Sequence, residues 1–466
     1  MLTNGLYGNS EPGQGERVLV VGAGLVGSLL AIYLARRGHR VEVWERHADL
    51  RRTELATFRS SINLSLCERG FQALDRVGMR SEVCARAVPS YGRLIHGLDG
   101  GIAFQPYGNH GEATYSILRN DLNRILVDRA ENVYGVVFRF GEKCRDVDLD
   151  TPAVQFEETR TGHVHREVAS VVLGADGVFS AVRLRLQRTP GFNYAQQYLD
   201  HGYSELDVPT VPDRRWAGQR SAVHLWPRGR YMLLGLPNVD GSLVCSLHLP
   251  FRGATSFSSL TTPAALEEFL KRSFPDVADL MPDAAEQFFR HRTNHLVSIR
   301  CFPWTYGGRV ALIGDAAHAV VPFYAQGVNA GFEDCRVLDD CLEDAGDDWA
   351  TALRLYEERR KPEADAVSDL SLQHFEELRD HVGQPQFLLK KNIERRLAEL
   401  YQDWFVPIYN RVTFQAAPYT EALRRSREQE ALLQQILSLP EVSTAKETEL
   451  TGLIRQVVDG VTAGRA

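Results

Sequence analysis

RVLVVGAGLVGSLLAIYLARRGHRVEVWER, residues 17–46, is the stretch that decides the fold. Val18 to Val21 form an apolar, branched run, as a strand buried on both faces requires. A glycine turn follows, then a helical stretch closing at Arg36-Arg37-Gly38, then a second strand from Arg40 to Trp44. Strand, helix and strand in that order predict a βαβ unit and hence a parallel sheet of the α/β class. Gly22 allows the tight turn, Gly24 allows close approach of a pyrophosphate to the backbone, and Gly27 lets helix and strand pack. Glu45 falls at the end of the second strand, where an acid binds ribose hydroxyls. A plain strand-to-helix turn would explain the glycines but leave Glu45 without a purpose, so a dinucleotide site is expected.

Two further glycine turns lie downstream. In RVALIGDAAHAVVPFYAQGVNAGFED, residues 309–334, the run Val310 to Ile313 reads as another buried strand with Gly314-Asp315 at its carboxyl end. That edge is where open α/β sheets bind ligands. After Pro322, Gly327, Gly331 and the pair Glu333-Asp334 predict a helix amino terminus, whose free N–H groups favour an acidic guest. Gly174-Ala175-Asp176-Gly177 forms a second Asp-containing turn at a strand end. Arg119 stands just before a helix with Asn120 and Asp121 as possible caps. From position alone, its guanidinium serves equally well as a reach toward a phosphate at Gly22 to Gly27 or as a surface ion pair.

Between Tyr198 and Pro250 the apolar period becomes two, in runs such as SAVHLWP, YMLLGLP and SLVCSLHLP, which predicts an antiparallel sheet. HLVSIRCFPW then delivers the chain to the 309–334 stretch, so the sheet reads as an insertion between two halves of one nucleotide-binding unit. Beyond Asp334 the pattern is helical, with Pro362 and Pro407 expected to break it. The predicted organisation is a flexible N-terminus (1–16), a discontinuous cofactor domain (17–75, 108–190 and 300–345), a β-sheet substrate domain (76–107 and 191–299) and a C-terminal helical region (346–466).

Composition narrows the function. The 466 residues are 44% hydrophobic and 24% charged, enough for a large core, and a net charge of -7 lacks the basic footprint of a nucleic-acid binder. No nucleic-acid partner is expected. Seven scattered cysteines without CxxC spacing indicate neither a disulfide framework nor a metal site, and a reducing cytoplasm is the expected home. The opening residues are not signal-like, and no apolar run reaches the roughly 18 residues of a membrane span.

GAGLVG with Glu45, GADG at 174–177 and GDAAHAVVPFYAQGVNAGFED occur in one order, and together they resemble the fingerprints of the single-component flavin-dependent aromatic hydroxylases. The resemblance implies one FAD, with Gly22, Gly24, Gly27, Glu45 and Arg119 on its ADP part and Asp315 on the ribitol. It places Gln326, Gly327, Val328 and Asn329 beside the isoalloxazine, with helix-terminal N–H groups stabilising negative charge on the reduced ring. No second nucleotide fingerprint is present, which fits NADPH as a transient reductant. Along most of the chain, in SSINLSLCERGFQAL, GRLIH, YSILRNDLN, QQYLDHGYSEL, VHLWPRG, LPNVDGS, IRCFPW and VPIYNRVTF, the sequence is similar to the kynurenine 3-monooxygenase family.

That likeness implies hydroxylation of L-kynurenine ortho to its amine to give 3-hydroxykynurenine, with O2 and NADPH, through a flavin C4a-hydroperoxide. It implies that Arg93 and Tyr107 clamp the substrate carboxylate, with Tyr419 from the C-terminal helices as a second tyrosine. No acid–base dyad is implied, because the ring amine supplies the electron density; His318 lies inside a flavin fingerprint and reads as structural. The family asparagine of HVN is matched by Gly383, GQGMN by AQGVN with Ala325 and Val328, and the arginine of RSINL by Ser60. The replacement at Gly383 motivates an alternative, a related hydroxylase of another aminoaryl or quinoline carboxylic acid. A flavoprotein that binds a ligand without turnover is the reading from a different class.

Overall fold

A computed structural model describes residues 15–52, 62–108, 111–210, 221–380, 385–402, 404–445 and 447–463. The opening βαβ unit is formed by the strand Arg17–Val21, the helix Leu25–Arg36 and the strand Arg40–Glu45. The two strands run parallel, with Val18 opposite Val41 on one side and Val171 on the other. The complete sheet has six strands in the order Thr305–Tyr306, Val310–Leu312, Val171–Gly174, Arg17–Val21, Arg40–Glu45, Val137–Phe140, all parallel except the first. Val18, Leu19, Val20, Val172, Leu173 and Val310 are fully buried, as double-sided coverage by helices demands.

A second sheet of seven strands contains the long strand Asn193–Val208 and the strands Val223–Pro227, Met232–Pro237, Leu243–Pro250 and Asn294–Phe302. Gly92–His96 and Ile102–Pro106 close its other edge. It is antiparallel as expected, with one exception: Val223–Pro227 pairs in parallel with Gly92–His96. The exception follows from connectivity, because Gly92–His96 enters the sheet from a distant part of the chain rather than through a hairpin. One face is sealed: Leu206, Trp226, Leu233, Cys245 and Leu247 pack against Leu266, Phe269 and Leu270 of the helix Pro263–Ser273. The opposite face carries Arg93, Ile95, Leu225, Leu234, Ser246 and Glu205, and the last five stand in register across five strands. All of these side chains but the buried Leu225 are only partly covered, so this face opens toward the cleft between the sheets.

The helix Gly327–Asp344 follows the strand Val310–Leu312 and packs on the helices Leu25–Arg36 and Trp349–Asp380. Pro362 does not break the latter, contrary to the sequence expectation; the helix runs through it for 32 residues. An internal proline costs ~3 kcal/mol, and here Leu353, Tyr356, Ala364 and Val367 lock both halves into the core. Pro407 does stand at a boundary, just before the helix Ile408–Thr413. The helices Tyr419–Leu437 and Glu447–Ala463 finish the C-terminal region. Among the described residues, no helix is long and apolar enough to cross a membrane.

Candidate active site

The first part of the site is the glycine turn after Val21. Gly22 has φ +104°, and a Cβ there would lie 2.6 Å from the Ala175 carbonyl oxygen, so the first fingerprint is packed against the second. A Cβ on Gly27 would lie 2.0 Å from the Gly22 carbonyl oxygen, which fixes helix against turn. A Cβ on Gly24 would meet nothing within 4 Å: this residue faces open space. The earliest helical bond is Ser28 N–H to the Gly24 carbonyl, so the N–H groups of the first turn are available to an anion. Asn123 Nδ2, from the helix Arg119–Tyr134, donates to the Ala23 carbonyl at 2.9 Å and holds the turn from behind.

Glu45 accepts from Ala23 N–H at 3.0 Å and from His47 N–H at 2.9 Å. Each oxygen thus takes one backbone donor and keeps a lone pair for a hydroxyl. Asp315 begins the short helix Asp315–His318 and opens onto the cleft, yet the surrounding protein pushes its carboxyl above the ordinary range, against His318 and Arg119. Arg119 is exposed and makes no side-chain hydrogen bond or ion pair among the described residues, and it lies within electrostatic reach of both Asp315 and Glu205. Open backbone at Gly24, a preset acid at Glu45, an unspent guanidinium and a cleft-facing aspartate are the donors and acceptors that a flavin dinucleotide presents partners for.

The carboxamides of Gln326 and Asn329, the residues expected beside the flavin ring, turn inward. Asn329 Oδ1 accepts from Cys67 N–H at 3.0 Å, while its Nδ2 donates to the carbonyls of Ser65 (3.0 Å) and Ala325 (2.7 Å). Gln326 Oε1 accepts from the Tyr419 hydroxyl at 2.8 Å and its Nε2 donates to the Tyr324 carbonyl at 3.1 Å. Both are fully buried, as unpaired amides could not be. What Gly327, Val328 and Asn329 offer outward is the N–H row of a helix start with no side-chain cap.

The second part of the site surrounds Arg93. Its guanidinium lies 5.6 Å from the Tyr107 ring and 4.6 Å from the Tyr409 ring. These two rings stack at 5.5 Å, and Asn410 Nδ2 fixes the Tyr107 carbonyl at 2.6 Å. Tyr324 stacks on Tyr409 at 5.8 Å and lies 4.7 Å from the His374 ring. Burial raises the phenols of Tyr324 and Tyr409, so they remain neutral donors. Burial lowers the His374 imidazole, against the pull of Glu377, and keeps it neutral beside Arg93. Farther along the same sheet face, burial with Asp207 beside it pushes the Glu205 carboxyl up to about 7, against Arg119.

Arg93 and Tyr107 are therefore brought together, whereas Tyr419 is not part of that group. Tyr419 is fully buried under Arg69, whose guanidinium lies 3.8 Å from its ring, and its hydroxyl is spent on Gln326. The second tyrosine ring packed on Arg93 is Tyr409, from the VPIYNRVTF stretch. His318 Nε2 lies 2.5 Å from Asp334 Oδ2 in the core. Gly383 and Ser60 lie outside the described residues. All seven cysteines are unpaired, and no group of three or more His, Cys, Asp or Glu among the described residues could hold a metal ion.

Comparison with known proteins shows the family. A family model described as "FAD binding domain" matches residues 16–371. The chain is 45% identical over 434 residues to the kynurenine 3-monooxygenase of Flavobacterium psychrophilum, covering 93% of this chain and 96% of that protein. It is 44% identical to that of Salinispora tropica (90% and 93%) and 36% identical to that of Dictyostelium discoideum (90% and 93%). Among solved structures, 2-methyl-3-hydroxypyridine-5-carboxylic acid oxygenase aligns with a TM-score of 0.65 at 24% identity, over 80% of this chain and 95% of that one, and shares the fold. The chain is an FAD-dependent monooxygenase, and it belongs to the kynurenine 3-monooxygenase family.

Proposed function

We propose that this protein hydroxylates L-kynurenine at the ring carbon ortho to the amine, giving 3-hydroxykynurenine with NADPH and O2, in the cytoplasm. One observation carries the substrate assignment: Arg93 is an arginine without a carboxylate partner among the described residues, set between two tyrosine rings on the cleft face of the second sheet. A buried cation of that kind is balanced by an anionic ligand, and a planar guanidinium grips a carboxylate through two charge-assisted bonds. Tyr107 and Tyr409 stand where their hydroxyls complete the grip. Leu225 and Leu234 provide an apolar floor for an aromatic ring next to it.

Bound FAD would supply the redox chemistry by which NADPH and O2 place one oxygen atom on the ring. The first-turn N–H groups after Gly24 would hold its diphosphate, with Gly22 and Gly27 shaping the turn and Arg119 adding charge. Glu45 would take the ribose hydroxyls and Asp315 the ribitol hydroxyls, and the N–H row of Gly327, Val328 and Asn329 would face the flavin ring. The remaining task of the chain is to position the amino-acid end and exclude water, since the substrate's own amine activates its ring.

The test is NADPH oxidation together with product mass for L-kynurenine, its ring-substituted analogues and simple anthranilates. Stimulated NADPH consumption with a mass gain of one oxygen on L-kynurenine is expected. Hydroxylation of an analogue but not of L-kynurenine would overturn the substrate, and no stimulation by any of them would overturn the reaction.

A further inference from the structure

We propose that His96 and Asp276 are positioning residues for the substrate carboxylate: they lock the register of the strand that carries Arg93. The inference rests on the reading above that Arg93 and Tyr107 grip that carboxylate. Both residues belong to one hairpin, formed by the strands Gly92–His96 and Ile102–Pro106, and Tyr107 N–H closes its open end by donating to the Tyr91 carbonyl at 3.0 Å. Its backbone has few fixings. Among the described residues Ile102–Pro106 is the outermost strand of its sheet and is exposed at all five positions. On the inner side Arg93, Leu94 and Ile95 pair with the neighbouring strand, and the pairing is parallel, the less stable kind. A slip of one residue would turn Arg93 to the sealed face, because side chains on a strand alternate.

The sealed face supplies the lock. His96 Nδ1 lies 2.8 Å from Asp276 Oδ2, and His96 Nε2 lies 3.1 Å from His224 Nδ1 on the neighbouring strand. Trp226 Nε1 donates to the same carboxylate at 2.9 Å, and the His96 and Trp226 rings stack at 4.1 Å. Against burial, His96 and Trp226 hold the Asp276 carboxyl below its ordinary range, so it is an anion that accepts from both, and His96 Nδ1 carries a proton. Burial, with His96 beside it, lowers the His224 imidazole to about 3, which keeps it neutral. The main chain is held as well: Arg228 Nη1 donates to the His96 carbonyl at 2.9 Å, and Arg228 Nε to the Ser273 carbonyl at 2.6 Å.

His96 and His224 are 1% and 2% exposed. Imidazoles that far from water must be hydrogen-bonded, and one register alone puts both nitrogens of His96 against these partners. Leu94, on the same face, would pack nearly as well after a slip, since apolar contact has no direction. Asp276 belongs to the helical cover, in Pro275–Ala278, so the strand takes its register from the body of the domain and not from the hairpin itself. His96 is three positions beyond Arg93, roughly 10 Å at the rise of a strand, and on the face turned away from the cleft. The lock therefore acts on the clamp through the backbone.

The experiment uses full-length, FAD-loaded His96→Phe, which keeps the stack on Trp226, and the milder Asp276→Asn, each alone and combined with Arg93→Met. KM is measured for L-kynurenine and for its decarboxylated analogue, and amide hydrogen exchange is followed across residues 92–107. Expected is a rise of about 3- to 30-fold in the KM for L-kynurenine in each single variant, with the KM of the decarboxylated analogue and the FAD content unchanged. Exchange should quicken across the hairpin, and in the Arg93→Met background neither substitution should raise KM further. Equal rises for the two compounds, or a rise that persists on top of Arg93→Met, would reduce the cluster to a structural role and overturn the proposal, as would unchanged exchange. A wild type that treats the two compounds alike would overturn the clamp and the positioning role with it, while the exchange comparison would still decide the lock.

Discussion

Arg69 and Arg93 both lie against tyrosine rings, and they differ in what balances their charge. Arg69 lies 3.8 Å from Tyr419 and is paired with Glu333 at 2.6 Å. Glu333 also takes Arg360 at 2.7 Å, and Arg360 reaches Asp334 at 2.7 Å, which accepts from Gly314 N–H at 3.0 Å. That network is closed. Arg93 lies 4.6 Å from Tyr409 and 5.6 Å from Tyr107, and no carboxylate of the described residues answers it. A cation taken out of water needs a partner, so the closed network belongs to the fold and the open one to a ligand. The same pair of side-chain types has a structural role in one place and a recognition role in the other, and only the missing acid tells them apart.

The largest effect that could break this comparison is on stability. Arg69→Met strands Glu333 with one fewer cation in the interior and should cost about 3–5 kcal/mol of unfolding free energy. Arg93→Met, which removes an unanswered charge, should cost little or raise stability. Chemical denaturation of both variants checks it, and equal losses would mean that Arg93 has an internal counter-charge. In binding, the order reverses. Arg93→Met should raise the KM for L-kynurenine by roughly 10- to 150-fold, the value of a charge-assisted bond of about 1.5–3 kcal/mol, with FAD content unchanged. Parallel flavin stoichiometry and steady-state kinetics read this directly.

A smaller effect belongs to the ring packed on Arg93. Tyr409→Phe should raise the KM for L-kynurenine about 2- to 10-fold and leave that of the decarboxylated analogue alone. The smallest effect is the pH dependence. Glu333 is held below its ordinary range, burial being outweighed by Arg360 and Arg69, so its contribution is present above pH ~4.5 and lost as pH falls. Glu205 behaves oppositely: burial and Asp207 raise it to about 7, so the folded protein binds the extra proton and stability falls as pH rises from ~4.5 to ~7. Glu205→Gln should therefore raise the Tm at pH 8 more than at pH 4. A thermal scan against pH for Glu205→Gln and Glu333→Gln would show slopes of opposite sign.

Much of the nucleotide side was legible because its signals are local. Gly22, Gly27 and Glu45 work within one βαβ unit, where spacing along the chain sets spacing in space. The alternation between Tyr198 and Pro250 likewise announced a sheet, since side chains on a strand must choose one face or the other. Sequence reading failed where a distant contact overrode a local rule. Pro362 sits inside a helix because packing of Tyr356 and Val367 outweighs its cost. Gln326 and Asn329 stand at the start of the helix Gly327–Asp344, and their amides are consumed by Tyr419, Tyr324, Cys67 and Ser65.

By itself, then, the sequence determined the parallel sheet, the three glycine turns and the positions of the acids Glu45 and Asp315 at strand ends, because backbone sterics and side-chain period are properties of neighbouring residues; Arg93 was reached only through the family likeness. Only the tertiary structure decided which tyrosine meets which arginine. Tyr409 and Tyr419 are ten residues apart on consecutive helices, and the bend between those helices sends one to Arg93 and the other to Arg69. That choice depends on how helices dock across the cleft, a matter of long-range packing and charge balance that no spacing along the chain encodes.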